Sequence, residues 1–472
     1  MKQSSRVLLL MASAVFLAAA QSDPPGRVGR LSYMNGEVSY RPGDVDDWVG
    51  ADFNRPLTTG DHLWTDEGAR AELHIGSAAL RLNGRTAFEF LNLDDNGVQI
   101  RLAEGSLNVH VRDLAEDETF EVDTPNLAFS LLRPGDYRID VNPDNDTTIV
   151  TVRGGQGEAT GGGQAFTVHP GEQARVSGTD SLSYDVAGAP QPDEWDGWSM
   201  ARNHREDDSP SARYVSRDMA GYQDLDDNGS WRQVPEYGAV WAPTTVAADW
   251  APYHNGRWVW VEPWGWTWVD DAKWGFAPFH YGRWVYVGYW AWVPGPVAVR
   301  PVYAPALVAW VGGSNFNLSV SVGGGGGGIA WFPLGPREAY VPSYHASPTY
   351  INRVNVTNTT IVNNVNVTNV YNNTTYINRG KPGAVTAVPQ NTFASARPVQ
   401  NAAVRVDPRA IQSARVMNAA PVAPSRQSVL GNSAPARRVA QRGPVGGALR
   451  RGLGRSGLKK NASMMAWKGR SG

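Results

Sequence analysis

A 26-residue tandem repeat built on tryptophan constrains this chain more than any other feature. The segment Trp250-APYHNGRWVWVEPWG-Trp266 recurs as Phe276-APFHYGRWVYVGYWA-Trp292, with 10 of 17 aligned positions identical. Thirteen of the chain's 19 Trp lie between Trp241 and Trp331. Rings at that density build either a small aromatic core or a stacking surface, because each one removes about 150–250 Å² from water when buried. In Arg257-WVWV-Glu262-Pro263-WGWTW the Trp alternate along two short segments, so a hairpin centred on Pro263 is expected. A three-residue loop at Glu262-Pro263-Trp264 pairs Trp260 with Trp266 and Trp258 with Trp268, gathering four rings on one face, whereas a two-residue loop scatters them. Cross-strand aromatic pairs contribute about 0.2–1 kcal/mol each, which favours the odd loop. The same rule pairs Tyr286 with Trp292 in the second copy, and the two hairpins are expected side by side in one small antiparallel sheet.

Two readings of these rings follow. A module of about 100 residues with few Leu and Ile needs aromatic side chains as its core. Alternatively, some rings stay exposed as a platform for sugar rings, the candidates being Trp258, Trp260, Trp266, Trp268, Trp284, Tyr286, Trp290 and Trp292. Core energetics put the weight on the first reading. His254 and His280 occupy equivalent positions in the two copies, but no third ligand stands at metal-binding spacing, so no metal or other cofactor is expected.

At 472 residues the chain exceeds a single core, and several folded units with linkers are expected. Residues 1–20 read as a cleavable secretory signal: Lys2 and Arg6 precede a short apolar run, Val7 to Ala20, that ends in small residues. That run is short for a bilayer span of about 20 residues, and no later segment is long and apolar enough to cross. With no cysteine, disulfide frameworks and Cys-ligated metals are excluded. A periplasmic or secreted protein of a Gram-negative bacterium is expected. The net charge of −2 hides a division: Lys381 to the end carries 16 Lys and Arg against Asp407 alone, or +15, leaving −17 for the rest. The basic tail, 381–472, is expected to be disordered and suited to anionic polymers, with nothing that points to specific nucleic acid.

From 26 to 187 the chain alternates apolar and polar residues in short runs, broken every 8 to 13 residues by turn chemistry such as Asn83-Gly84 and Asn96-Gly97. A β-sandwich or rolled sheet is expected there. Four stretches carry a family resemblance: Pro56-LTTGD-His62, Arg70-AELHIGSAALRLNG-Arg85, Leu102-AEGSLNVHVRD and Val122-DTPNLAFSLLRPGDYRIDV-Val141. Together they resemble the FecR-type periplasmic domain, whose most recognisable run is VxTPxxxxxxxGTxFxV. In this chain Arg133-Pro134-Gly135-Asp136-Tyr137 stands where that family carries Gly-Thr and an aromatic. The resemblance implies the fold and a protein-binding role in the envelope. FecR-type sensors relay receptor occupancy through a membrane span, and a cleavable signal in that place argues against such a relay here. Other secreted proteins set the same domain beside cell-wall-binding modules.

Residues 188–221 form a connector, partly helical, with Asp193 as N-cap. Residues 222–345 are expected to be the Trp- and Pro-rich β module. Its runs Tyr222-QDLDDNGS-Trp231, Val234-PEYGAVWA-Pro243, Trp274-GFAPFHYGRWVYV and Trp331-FPLGPREAYVP resemble a domain of unknown function that often follows FecR-like domains. Asp224-LDDN-Gly229 imitates half a calcium loop, but position 12 is Pro235 rather than Glu, so a turn is favoured. Gly323 to Gly328 reads as a loop, and 346–380, rich in Asn, Thr and Val, as an extended segment.

The sequence contains no nucleophile elbow, HExxH, Walker or dinucleotide fingerprint. Adjacent acids such as Asp270-Asp271 fall in turn signals. The expectation is therefore an all-β, non-enzymatic envelope protein that binds a protein partner, cell-wall or surface polysaccharide, or both. The alternatives are a scaffold acting only through protein contacts and, further off, a glycan hydrolase, which needs two carboxylates flanking a sugar.

Overall fold

The computed structural model describes residues 22–312, 328–359 and 375–436. Its amino-terminal part is all strand apart from one 3-10 turn at Pro143–Asn145. The long strand Gly97–Val111 organises it. Its first half lies between Thr86–Leu93 and Thr119–Asp123, the latter in parallel register, and its second half lies between Ala78–Leu82 and Gly135–Asn142. One strand thus belongs to two sheets, and it turns between them at Gly105. That residue has φ +97°, and a Cβ there would stand 2.5 Å from the Arg85 carbonyl oxygen. Period-two alternation sends Leu31, Leu73, Leu80, Phe88, Ile100, Phe129 and Ile139 into one core shared by both sheets, the sandwich or roll that the alternation implies.

The connector helix, Glu194–Asp207, begins on a capping box at Asp193, the N-cap read from the sequence. Its buried stripe is mostly polar: Asp196, Ser199, Asn203 and Glu206 share it with Trp195. That stripe meets the outer face of one sheet, where Glu72 and Arg81 are also buried. Arg81 reaches Glu72 at 2.7 Å and Glu206 at 3.1 Å, Arg202 holds Glu72 at 2.5 Å, and Asn108 donates to Ser199 at 2.9 Å. Positions that alternation marks as solvent-facing are instead sealed by ion pairs.

Four antiparallel hairpins follow, each closed by facing tryptophans. Trp231 faces Trp241, Trp258 and Trp260 face Trp268 and Trp266, Trp284 faces Trp292, and Trp310 faces Trp331. The first repeat adopts the expected three-residue loop and both expected pairs. In the second repeat the expected Tyr286–Trp292 pair does not form: Tyr286 faces Trp290 and Trp284 faces Trp292. The loop there is Val287-Gly288-Tyr289, turning at Gly288 with φ +91°. Strict equivalence would have set Trp284 opposite Pro294, which has no N–H for the ladder.

The two repeats do not share a sheet either. The first stands alone, Gly256–Val261 with Gly265–Asp270, while the second joins Gly229–Val234 and Gly238–Pro243 in a four-stranded sheet. Rings gathered on one face favour packing one hairpin across another over edge-to-edge strand pairing. Trp258 accordingly meets Trp310 and Trp331 from another sheet, at centroid distances of 4.6 and 5.3 Å.

Two expectations about the carboxyl-terminal third are corrected. Pro348–Val356 is an α-helix capped by Ser347, not an extended segment, and residues 360–374 of that stretch lie outside the described residues, as does most of the glycine run. Much of the tail is folded: Thr386–Pro389 and Arg415–Met417 are the edge strands of a four-stranded sheet around Val308–Gly312 and Gly328–Pro333. Phe393 explains this order. Its ring sits 4.3 Å from Trp266, 5.5 Å from Trp258 and 5.6 Å from Trp310, plugging the aromatic core. The chain then returns to the amino-terminal strands, where Gly50 N–H donates to the Ala434 carbonyl at 3.0 Å. The rest of the tail, 437–472, and the expected signal, 1–21, lie outside the described residues. Among the described residues no helix is long and apolar enough to cross a membrane.

Candidate functional site

Of the eight candidate platform residues, six are enclosed. Trp258, Trp268 and Trp292 are 0% exposed, Trp284 1%, Trp290 6% and Trp266 8%. Four of their indole N–H groups are spent internally: Trp266 donates to the Val422 carbonyl, Trp268 to Asp270, Trp284 to the Pro278 carbonyl and Trp292 to the Tyr281 carbonyl, all at 2.8–3.0 Å, while Trp258 Nε1 is buried without an acceptor among the described residues. A ring enclosed on both faces cannot stack on a sugar, which corrects the eight-residue platform. Only Trp260 and Tyr286 stay half-buried.

The other sequence candidates are structural. His280 is buried, its Nδ1 2.8 Å from the Ala304 carbonyl, and burial pushes it down to about 3, so it is neutral at ordinary pH. His254 contacts Thr386 instead, so the two histidines are engaged apart. Asp270, raised well above the usual carboxylate range by burial, accepts from Trp268 and from the Ala272 amide, while Asp271 faces Arg257 at 3.3 Å and Gln400 at 2.7 Å. In the calcium-like turn, Asp224 pairs with Arg30 at 2.5 Å and Asp226 accepts from Ser209 and Ser211, so its carboxylates serve the chain's own contacts.

Glu72, His74 and Glu206 bring three ligand atoms within 4.8 Å of one another, a constellation that sequence reasoning missed because Glu206 lies more than 130 residues from the other two. Its electrostatics fit ion pairing better than a cation. Burial works against charge on Glu206, yet His74 and Arg81 hold it down to about 2, and Glu72 is held well below the usual range by Arg202, His74 and Arg81 against the same burial. Three guanidiniums, from Arg81, Arg112 and Arg202, already occupy these oxygens.

The amino-terminal part and the Trp-rich part are fastened by Arg30 and Asn54, both buried. Arg30 donates to Asn54 Oδ1 at 3.0 Å and to the Lys273 carbonyl at 2.7 Å, and Asn54 donates to the Asp270 and Ala272 carbonyls at 3.0 and 2.6 Å. Beside this seam lies a cleft of about 580 Å³, within the range of about 300–1,000 Å³ of small-molecule sites. One wall is the tip of the first Trp hairpin, Trp260 to Trp264. The facing wall is amino-terminal, with Tyr40, Arg55 and Asp61, and Pro424 to Val429 closes an end. Trp260 stands edge-on to Trp266 at 5.6 Å, and its N–H donates to Glu262 at 2.7 Å, which fixes the ring. On the facing wall Tyr40 donates to Asp61 at 3.0 Å, and Arg55 lies over the Tyr40 ring at 4.7 Å. Burial raises Asp61 to about 6 against the opposing pull of the Thr58 amide and Arg55. Of these, only Trp260 stood out in the sequence. Asp61 lies inside the Pro56-LTTGD-His62 run, but nothing local signals that Tyr40 and Arg55 meet the hairpin.

Three comparisons bear on identity. No curated protein matches this chain. Two crystal structures of a putative anti-sigma factor from Parabacteroides distasonis align at 18% and 17% identity and a TM-score of 0.25, covering 27% of this chain; the chain spans 59% of their length. Residues 222–338, the four hairpins from the calcium-like turn onward, match a family of unknown function, DUF6600.

Proposed function

We propose that this chain is a non-enzymatic binding protein of the bacterial cell envelope, in which a FecR-like β domain and a Trp-rich module are joined rigidly and bind cell-wall or surface polysaccharide. The observation that carries this reading is the cleft at their seam, where Trp260 is the one ring of the first hairpin's four-ring face that keeps an open side. The 36 residues after Ala436 hold ten Lys and Arg and no acid, which suits contact with an anionic polymer. Export by the amino-terminal signal brings the chain to that polymer.

A second reading, a scaffold acting through protein contacts alone, is favoured by the strand Ser183–Gly188. It is exposed at all six positions at the edge of its sheet, a form that invites strand addition. Co-sedimentation with purified peptidoglycan and with extracted surface polysaccharide separates the two. Retention by either supports the polysaccharide reading. Retention by neither, with one protein dominating periplasmic crosslinks, replaces it with the scaffold.

A further inference from the structure

The cleft contains guanidinium N–H groups that its own hydrogen bonds do not use. Arg55 is 3% exposed and makes no ion pair among the described residues. Its Nη2 donates to the Val429 carbonyl at 2.5 Å, leaving Nε and Nη1 without a hydrogen-bond partner among the described residues. The nearby carboxyl of Asp61 does not take them up, since Oδ1 accepts from Tyr40 and the Gly43 amide and Oδ2 from the Thr58 amide. Arg27 lines the same cleft and is also buried. It pairs with Glu118 and donates to the Asp94 carbonyl, but its Nη2 has no partner among the described residues. Arg426 stands at the mouth, exposed and paired with Asp47. A buried guanidinium short of acceptors carries a desolvation cost that an incoming anion relieves. Asp44 and Glu262 also line the cleft, but Glu262 is engaged by the Trp260 N–H.

Resting on the binding role proposed above, we infer that the cleft takes an acidic saccharide, its ring against the open face of Trp260 and its anionic group toward Arg55, with Arg426 at the entrance. Aromatic faces accept the C–H face of a sugar, and guanidinium forks match carboxylate or phosphate oxygens in pairs. A neutral saccharide satisfies only the first half of this arrangement, and a small anion only the second.

Isothermal titration of the full chain with trigalacturonic acid, glucose 6-phosphate and neutral cellotriose tests the assignment. Trigalacturonic acid or glucose 6-phosphate should bind at least about tenfold more tightly than cellotriose, and the tighter of the two identifies carboxylate or phosphate as the anion. Trp260→Ala and Arg426→Ala should each weaken that binding about tenfold without changing the melting temperature by more than a few degrees, and Trp260→Phe should restore most of it. Equal affinity for acidic and neutral ligands, or full affinity in Trp260→Ala, overturns the inference. Binding of none of the three overturns it too. Failure here with retention on peptidoglycan or surface polysaccharide leaves the broader function standing, whereas loss of polymer retention removes that function itself.

Discussion

The amino-terminal and Trp-rich parts of this chain solve the same burial problem with different materials. The first packs Leu, Val, Ile and Phe from two sheets that share the strand Gly97–Val111, and backbone ladders fix the register. The second packs indoles, and each indole brings an N–H that demands an acceptor when buried. Trp241, Trp284, Trp292 and Trp331 each find a specific carbonyl, on Leu225, Pro278, Tyr281 and Tyr253. An aliphatic core tolerates repacking at constant volume, whereas in this indole core several rings have an acceptor specified one by one, with Trp258 and Trp264 held by packing alone among the described residues. That specification fixes how three hairpins with loops of three residues pack against one another and against the strands Val308–Gly312 and Gly328–Pro333.

The largest effects should come from truncating rings at the centre of the indole core. Trp258→Ala and Phe393→Ala are each expected to cost about 3–5 kcal/mol by chemical denaturation. Leu80→Ala in the aliphatic core should fall in the range of about 2–5 kcal/mol. Phe393→Ala carries extra weight, because a tail without structure predicts no change at all.

The two parts should also diverge in their response to acid, by about 1–3 kcal/mol at each of two carboxyls. Glu338, in the Trp-rich part, is raised by burial from the ordinary 4.5 to about 7. Its contribution is therefore complete below about pH 4.5 and is lost as pH rises through 7. Glu206, in the contact between connector helix and sheet, sits at about 2, so its contribution is present above pH 4.5 and lost as pH falls through 2. Glu338→Gln should flatten the stability profile between pH 4.5 and 7, and Glu206→Gln should flatten it between 4.5 and 2, measured by urea denaturation across that range. The smallest effect should belong to Trp260→Ala, which gives up one cross-strand pair of about 0.2–1 kcal/mol, although the ring belongs to the same repeat as Trp258.

Much of this contrast is legible in the sequence, and what is not has identifiable causes. Alternation reads the amino-terminal sheets, and the spacing of Trp around Pro263 reads the register of the first hairpin, because both are local. The second hairpin departs from its copy because Gly288 turns one position earlier than the repeat implies, a shift that the aromatic pattern alone does not encode. Buried Glu72 and Arg81 look solvent-facing because the helix that covers them begins more than 100 residues later. The folded tail is hidden for a related reason: its composition is that of a solvated segment, and a few scattered side chains, chiefly Phe393, Val388, Val399 and Val422, tie it to the Trp core. Of the candidate site, Trp260 is visible as one ring among many. That it alone of its four-ring face keeps an open side depends on how the hairpin meets Tyr40 and Arg55.

The central claim, that the repeat is core and that its first hairpin opens to a ligand only at Trp260, is tested most directly by hydroxyl-radical labelling of the native protein with mass spectrometry of each ring. The account predicts modification at Trp260 and Tyr286, with Trp258, Trp266, Trp268, Trp284, Trp290 and Trp292 protected until the protein unfolds. Comparable labelling of those six in the native state would contradict it and return the repeat to an exposed aromatic platform.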